Sequence, residues 1–141
     1  MADQKELQRK YVQLQILKQQ MNAFLEEKIM LDNKTNELSV TIESLKKLDE
    51  IKQGEEMWSS LGSETFVRAD LKDIQKVIIN IGAGVFAVKS TAEAAGILEE
   101  RLGELSKFDT ELVAEINKIN QQITRLEPEL QRLAEQASDR K

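Results

Sequence analysis

The stretch of this chain that spells a chemical motif is Gly82-Ala83-Gly84-Val85-Phe86-Ala87. By letter it matches G-x-G-x-x-A. In that fingerprint glycines admit a pyrophosphate to the backbone, and a helix opening in the loop turns its N-terminus toward the charge. Here Val85, Phe86, Ala87 and Val88 read as a strand, no strand–helix–strand unit precedes them, and 141 residues are too few for the full fold, so no cofactor is expected. Glu26-Glu27, Glu55-Glu56 and Glu99-Glu100 are the candidates for proton transfer between paired carboxylates. Sequence neighbours on a helix project about 100° apart and do not share a proton, so these read as solvated charge. The chain contains no His and no Cys, which excludes Ser-His-Asp and Cys-His catalysis, Cys/His zinc sites and disulfides. No catalytic constellation remains, no metal site is expected, and the reading is that of a non-enzyme.

Composition points to long solvated helices. Charged residues make up 32% and aromatic residues 4% of the chain, with one Pro and six Gly. The net charge of −5 is uneven: residues 1–53 balance nine basic against nine acidic side chains, whereas residues 91–141 carry seven against eleven. No basic stripe is available to neutralise phosphates, so nucleic acid is not an expected partner. No apolar run approaches the roughly 20 residues of a membrane span, and MADQKELQRK does not resemble a signal peptide. A soluble cytoplasmic protein without a membrane partner is expected.

Residues 1–53 lack Gly and Pro, and their apolar residues recur by threes and fours. Leu7, Leu14, Met21, Lys28, Thr35 and Ile42 occupy one core position of a heptad; Leu17, Phe24, Leu31, Leu38 and Leu45 occupy the other. Residues 91–141 repeat the pattern from Leu98 through Leu102, Leu105, Asp109, Leu112, Ile116, Ile119, Ile123, Leu126, Leu130 and Leu133 to Ala137, with Asp109 as the interruption. Both are coiled-coil patterns. Ser90 and Glu93 form a capping box before the second helix. Nearly equal lengths let the helices fold back on each other. Pro128 removes one backbone hydrogen bond and predicts a kink near the end of the pair.

Between the helices the period changes to two. Met57–Leu61 and residues 64–71 predict one hairpin across Gly62-Ser63; residues 76–81 and 85–89 predict a second around Gly82-Ala83-Gly84. Ala92, Ala94, Ala95 and Gly96 allow this β segment to approach the helix closely. Lone hairpins are marginal in water, and apolar strands with open edges invite partners. An oligomer is therefore expected. The organisation is one domain in three segments: a helix over 1–53, a hairpin assembly region over 54–90 and a helix over 91–141.

An antiparallel register pairs Thr35 with Asp109, and sets Lys28 beside Ile116 and close to Leu112. A matched polar layer would penalise slippage; long charged side chains that simply reach out to water are the plainer account. The same register sets Leu7 and Leu14 against Ala137 and Leu130, and leaves Val12 and Ile16 off the seam with Tyr11 beside them. An off-seam apolar cluster is either a contact site or ordinary exposed residues.

Phe66-Val67-Arg68-Ala69-Asp70-Leu71-Lys72-Asp73 and the run from Lys76 through Ile81-Gly82-Ala83-Gly84 to Lys89 resemble the α-class prefoldin subunit. The resemblance is local to residues 57–105 and rests on heptad character elsewhere; Trp58-Ser59-Ser60-Leu61-Gly62-Ser63 departs from it, because the family typically has an aliphatic strand with Pro there. It implies a mainly α fold, a long antiparallel two-helix coiled coil with two central β-hairpins that join an oligomeric β-barrel body. It also implies an ATP-independent chaperone of two α and four β subunits, which holds unfolded clients at the coiled-coil tips and delivers them to a group II chaperonin. On that basis Val77, Ile79, Ile81, Val85, Phe86 and Val88 would build the oligomer interface, and Leu7, Tyr11, Val12, Ile16, Leu130 and Leu133 would form the client-binding tip. The alternative of another class is a structural coiled-coil tether or filament subunit.

Overall fold

A computed structural model describes residues 2–48 and 50–139. The element order is α1 (Ala2–Leu48), β1 (Glu56–Gly62), β2 (Thr65–Asp70), β3 (Lys76–Gly82), β4 (Val85–Ser90) and α2 (Thr91–Asp139). The strands form two separate two-stranded antiparallel sheets, β1–β2 and β3–β4. The mainly α fold with two central hairpins is the one expected.

The first helix is shorter than its breaker-free sequence suggests. It stops at Leu48 rather than near residue 53: Glu50 and Ile51 donate backbone bonds to the Lys47 and Leu48 carbonyls, three residues back. Beyond them Gly54 N–H donates to the Leu71 carbonyl at 2.6 Å and Leu71 N–H to Glu55 at 3.0 Å, while Gln53 Nε2 donates to the Lys72 carbonyl. Those bonds continue the β1–β2 ladder backward, so residues 53–55 are claimed by the sheet.

The chain divides into two compact units. One consists of Met1–Asn33 with Ser106–Lys141. Its core is Leu14, Leu17, Ile119 and Leu126, against which Met21, Phe24, Ile123 and Leu130 pack. Lys10 pairs with Glu129, Lys18 with Glu127 and Lys28 with Asp109, so the helix segments run antiparallel. Every described seam position named above is buried or half-buried, and the positions between are largely exposed. Pro128 lies within α2, and buried Leu126 and Leu133 flank it in the same stripe. Thr124 and Pro128 are both exposed, so the carbonyl that loses its donor can be hydrated.

The other unit is Lys34–Leu105. Leu38, Ile42 and Leu45 pack on Ala94, Ala95 and Leu98, and Val77 and Ile79 of β3 lie against that cluster. Ala94 is fully buried. A methyl-sized side chain there lets the strand come down onto the helix. Ser90 caps α2, accepting from Glu93 N–H at 3.0 Å, while the Glu93 carboxylate lies 4.0 Å from Lys89. Arg101 donates to the Asn80 carbonyl at 2.5 Å, tying the outer part of β3 to α2.

Both hairpins use one device. Two residues with positive φ make each turn, Ser63 and Glu64 in the first, Ala83 and Gly84 in the second. That is the arrangement which matches the twist of paired strands. A bulge precedes each turn, with a register shift between Ser60 and Gly62 and between Asn80 and Gly82. Gly62 and Gly82 have φ of 95° and 132°, which glycine tolerates best, and their N–H groups donate to the side chains two residues back, Ser60 Oγ and Asn80 Oδ1. Gly82-Ala83-Gly84 is thus a hairpin end that leads into β4.

Candidate functional site

What the folded chain offers for recognition is surface. The helices expose several large apolar side chains, and one set of them lies toward the start of α1. Tyr11, Val12 and Ile16 project from α1 and are 54%, 49% and 50% exposed. The seam at this end is filled by Leu14, Leu17 and Leu126, so these three side chains have no place in it. Val12 lines a shallow groove with Lys5, Gln8 and Arg9, whose long stems frame it. The other three residues expected at the tip are placed differently. Leu133 is buried, Leu130 packs on the core and Leu7 is half-buried, all in the seam stripe.

Ion pairs hold this end in register. The Lys10 ammonium donates to the Glu129 carboxylate, which holds that carboxyl below its ordinary value and raises Lys10 above its own. Lys28 donates to Asp109 at 2.5 Å and to Asp32 at 2.8 Å, and both bonds raise its pKa. The polar interruptions therefore meet as Lys28 with Asp109, where spacing alone set Thr35 opposite Asp109. The register differs from the expected one because α1 stops at Leu48: with Thr91 opening α2, Lys28 lies within a turn of the level of Asp109, and Thr35 lies more than a turn from it.

The hairpins carry the second exposed set. The six residues expected at an interface divide into a covered pair and an exposed four. Val77 and Ile79 face the helix core of their own chain. Ile81, Val85, Phe86 and Val88 are exposed. Ile78, paired with Val88 and 71% exposed, belongs with the outward set, and sequence reasoning passed over it. The available signal was period two: if Val77 and Ile79 cover the helices, Ile78 must point away. On the first hairpin Trp58 and Phe66 are exposed as well, and Arg68, paired with Trp58, lies 5.2 Å from its ring centre.

The family model described as prefoldin subunit matches residues 17–136, which takes in both helices and both hairpins. The chain belongs to the prefoldin family. It is 32% identical over 129 residues to prefoldin subunit alpha of Methanococcus vannielii, covering 92% of this chain and 86% of that one. It is 33% identical over 117 residues to prefoldin subunit alpha of Methanosarcina barkeri, covering 83% and 78%. A chain of the filamentous PFD of Methanocaldococcus jannaschii superposes with a TM-score of 0.70 at 22% identity, over 80% of this chain and 93% of that one. The prefoldin beta subunit of Thermococcus strain KS-1 superposes with a TM-score of 0.58 at 14% identity, covering 89% and 90%. At those identities the two structures speak for the prefoldin fold. The α-class resemblance read from the hairpins accordingly extends along most of the chain, and the molecule is a prefoldin-type chaperone subunit. No helix among the described residues is long and apolar enough to cross a membrane.

Proposed function

We propose that this subunit holds non-native polypeptides without ATP through Tyr11, Val12 and Ile16, and passes them to a group II chaperonin. The observation that carries the reading is that these three large apolar side chains stand about half exposed beside a filled seam. A single such patch binds weakly. Several copies joined in one assembly act together through raised effective concentration, so no site needs to be strong. The exposed strand residues supply the joining: Ile78, Ile81, Val85, Phe86 and Val88 suit a shared β-barrel body of two α and four β subunits.

The test replaces Val12 and Ile16 together with Ser in the subunit co-expressed with a β-class prefoldin subunit. Suppression of aggregation of a chemically unfolded client should fall at least severalfold, while native mass spectrometry still finds two copies of this chain with four of the partner. Loss of the assembly would make Val12 and Ile16 interface residues. A homo-oligomer indifferent to the partner would favour the tether or filament role.

A further inference from the structure

Some 20–30 Å along α1 from Val12, by helix rise, the same unit carries a different surface. An open groove of about 420 Å³ runs between the helices. Phe24 and Leu31 of α1 and Phe108 and Leu112 of α2 line it, together with Glu27, Glu111 and Glu115. Leu112 is buried and Phe24 and Leu31 are half-buried, but Phe108 is 61% exposed. Phe108 precedes the seam residue Asp109, so its ring flanks the stripe and does not fill it.

The three carboxylates are unpaired. Among the described residues none of them makes an ion pair. The nearest cation by sequence, Lys28, is taken by Asp32 and Asp109. Lys107 and Lys118 stand within a turn of Glu111 and Glu115 on α2 without reaching either, and Lys118 lines the adjoining groove with Ala23 and Gln122. Apolar lining under one sign of charge focuses the field on whatever enters.

We propose that this groove is a docking site for a basic, apolar segment of a partner protein. A large apolar side chain of that segment would seat between Phe24 and Phe108, and flanking Lys or Arg would meet Glu27, Glu111 and Glu115. Charge complementarity argues for this occupant. The acidic α2 segment of a second copy would bring like charge, and an acidic or purely apolar segment would leave three carboxylates facing low-dielectric surface. The site is independent of the role assigned to Tyr11, Val12 and Ile16, and its length of helix separates the two in any test.

The probe is a fluorescein-labelled 12-residue peptide alternating Leu with Arg, compared with peptides alternating Leu with Glu and Ser with Arg. Fluorescence anisotropy is read on the full chain in its assembly. The Leu/Arg peptide should bind at least tenfold more tightly than either comparison peptide, with affinity falling as salt rises. Glu111→Lys with Glu115→Lys, and separately Phe108→Ser, should each weaken it about tenfold, while Val12→Ser with Ile16→Ser weakens it about twofold at most. Phe108 lies off the buried stripe, and unchanged helical circular dichroism checks that its variant folds. Binding indifferent to the charge reversal overturns the proposal. So does binding lost on changing Val12 and Ile16 but not Phe108, which would assign the peptide to the other surface. A smaller native mass for Phe108→Ser would make the occupant a second copy and overturn it equally.

Discussion

At the scale of single residues, this protein relies on charge where its seam leaves the apolar pattern. Lys28 and Thr35 interrupt the stripe of α1 and Asp109 that of α2, and Lys28 meets Asp109. Lys10 and Glu129 join the helices beside the core of Leu14, Leu17 and Leu126. Glu129 is held below its ordinary pKa of about 4.5 by the Lys10 hydrogen bond, so its contribution is complete above that value and is lost as the pH falls through the lowered one. Lys10 is held above its ordinary value of 10.5 by Glu129, so its contribution is complete below that value and is lost as the pH rises through the raised one. The pair therefore adds a plateau of stability across the middle of the pH range, falling away at both ends. Replacing Lys10 with Met and Glu129 with Gln should lower the thermal midpoint near pH 7 and flatten its decline on the acid and alkaline sides. Thermal unfolding followed by circular dichroism across pH checks this; a variant whose profile parallels the parent would remove the pair from the account. Both partners are accessible to water, so the effect should shrink as salt is raised.

At the scale of elements, each helix was legible from its spacing. The heptad positions of α1 and α2 are the buried and half-buried ones, because two helices can cover only the stripe each turns to the other. The end of α1 was not legible. Nothing between Leu48 and Gly54 breaks a helix by composition, and what ends it is the ladder from Gly54 and Leu71, whose strength depends on a strand elsewhere in the chain. The hairpin turns were legible in place but not in detail: Ser63 and Glu64 take positive φ without being glycine, a conformation that the strands on either side impose. Pro128 offers the sharpest test at this scale. It interrupts the backbone bonding of α2 where Leu126 and Leu133 still pack, so Pro128→Ala should stabilise the helix pair by up to about 3 kcal/mol. The rise would be read from chemical denaturation. A variant no more stable than the parent would mean that hydration at Thr124 already offsets the missing bond. If client holding falls as stability rises, the missing backbone bond at Pro128 is part of holding.

At the scale of the whole molecule, the outward faces of the hairpins are what this chain leaves unfinished. Ile78, Val88 and Phe86 lie exposed on a two-stranded sheet, an arrangement with little stability of its own in water. Ile78→Asp should therefore abolish assembly with the β-class partner while the helices remain folded, seen as free subunit in native mass spectrometry with unchanged helical circular dichroism. An intact assembly would move the interface to the first hairpin, where Trp58 and Phe66 are exposed. Among the expected interface residues, Ile81, Val85, Phe86 and Val88 are free to meet a partner, and Val77 and Ile79 are occupied by their own helices. Among the expected tip residues, Tyr11, Val12 and Ile16 stand outside the seam and Leu7, Leu130 and Leu133 lie within it. Periodicity and residue type were enough for the two helices, the two hairpins and the antiparallel return, because both are local properties of the chain. Folding settled which strand face covers Ala94 and Ala95, where α1 yields to the sheet, which carboxylate Lys28 meets, and that Phe24 and Phe108 open a groove under three unpaired glutamates. Those outcomes depend on distances between residues far apart in the chain, and no spacing along the chain encodes them.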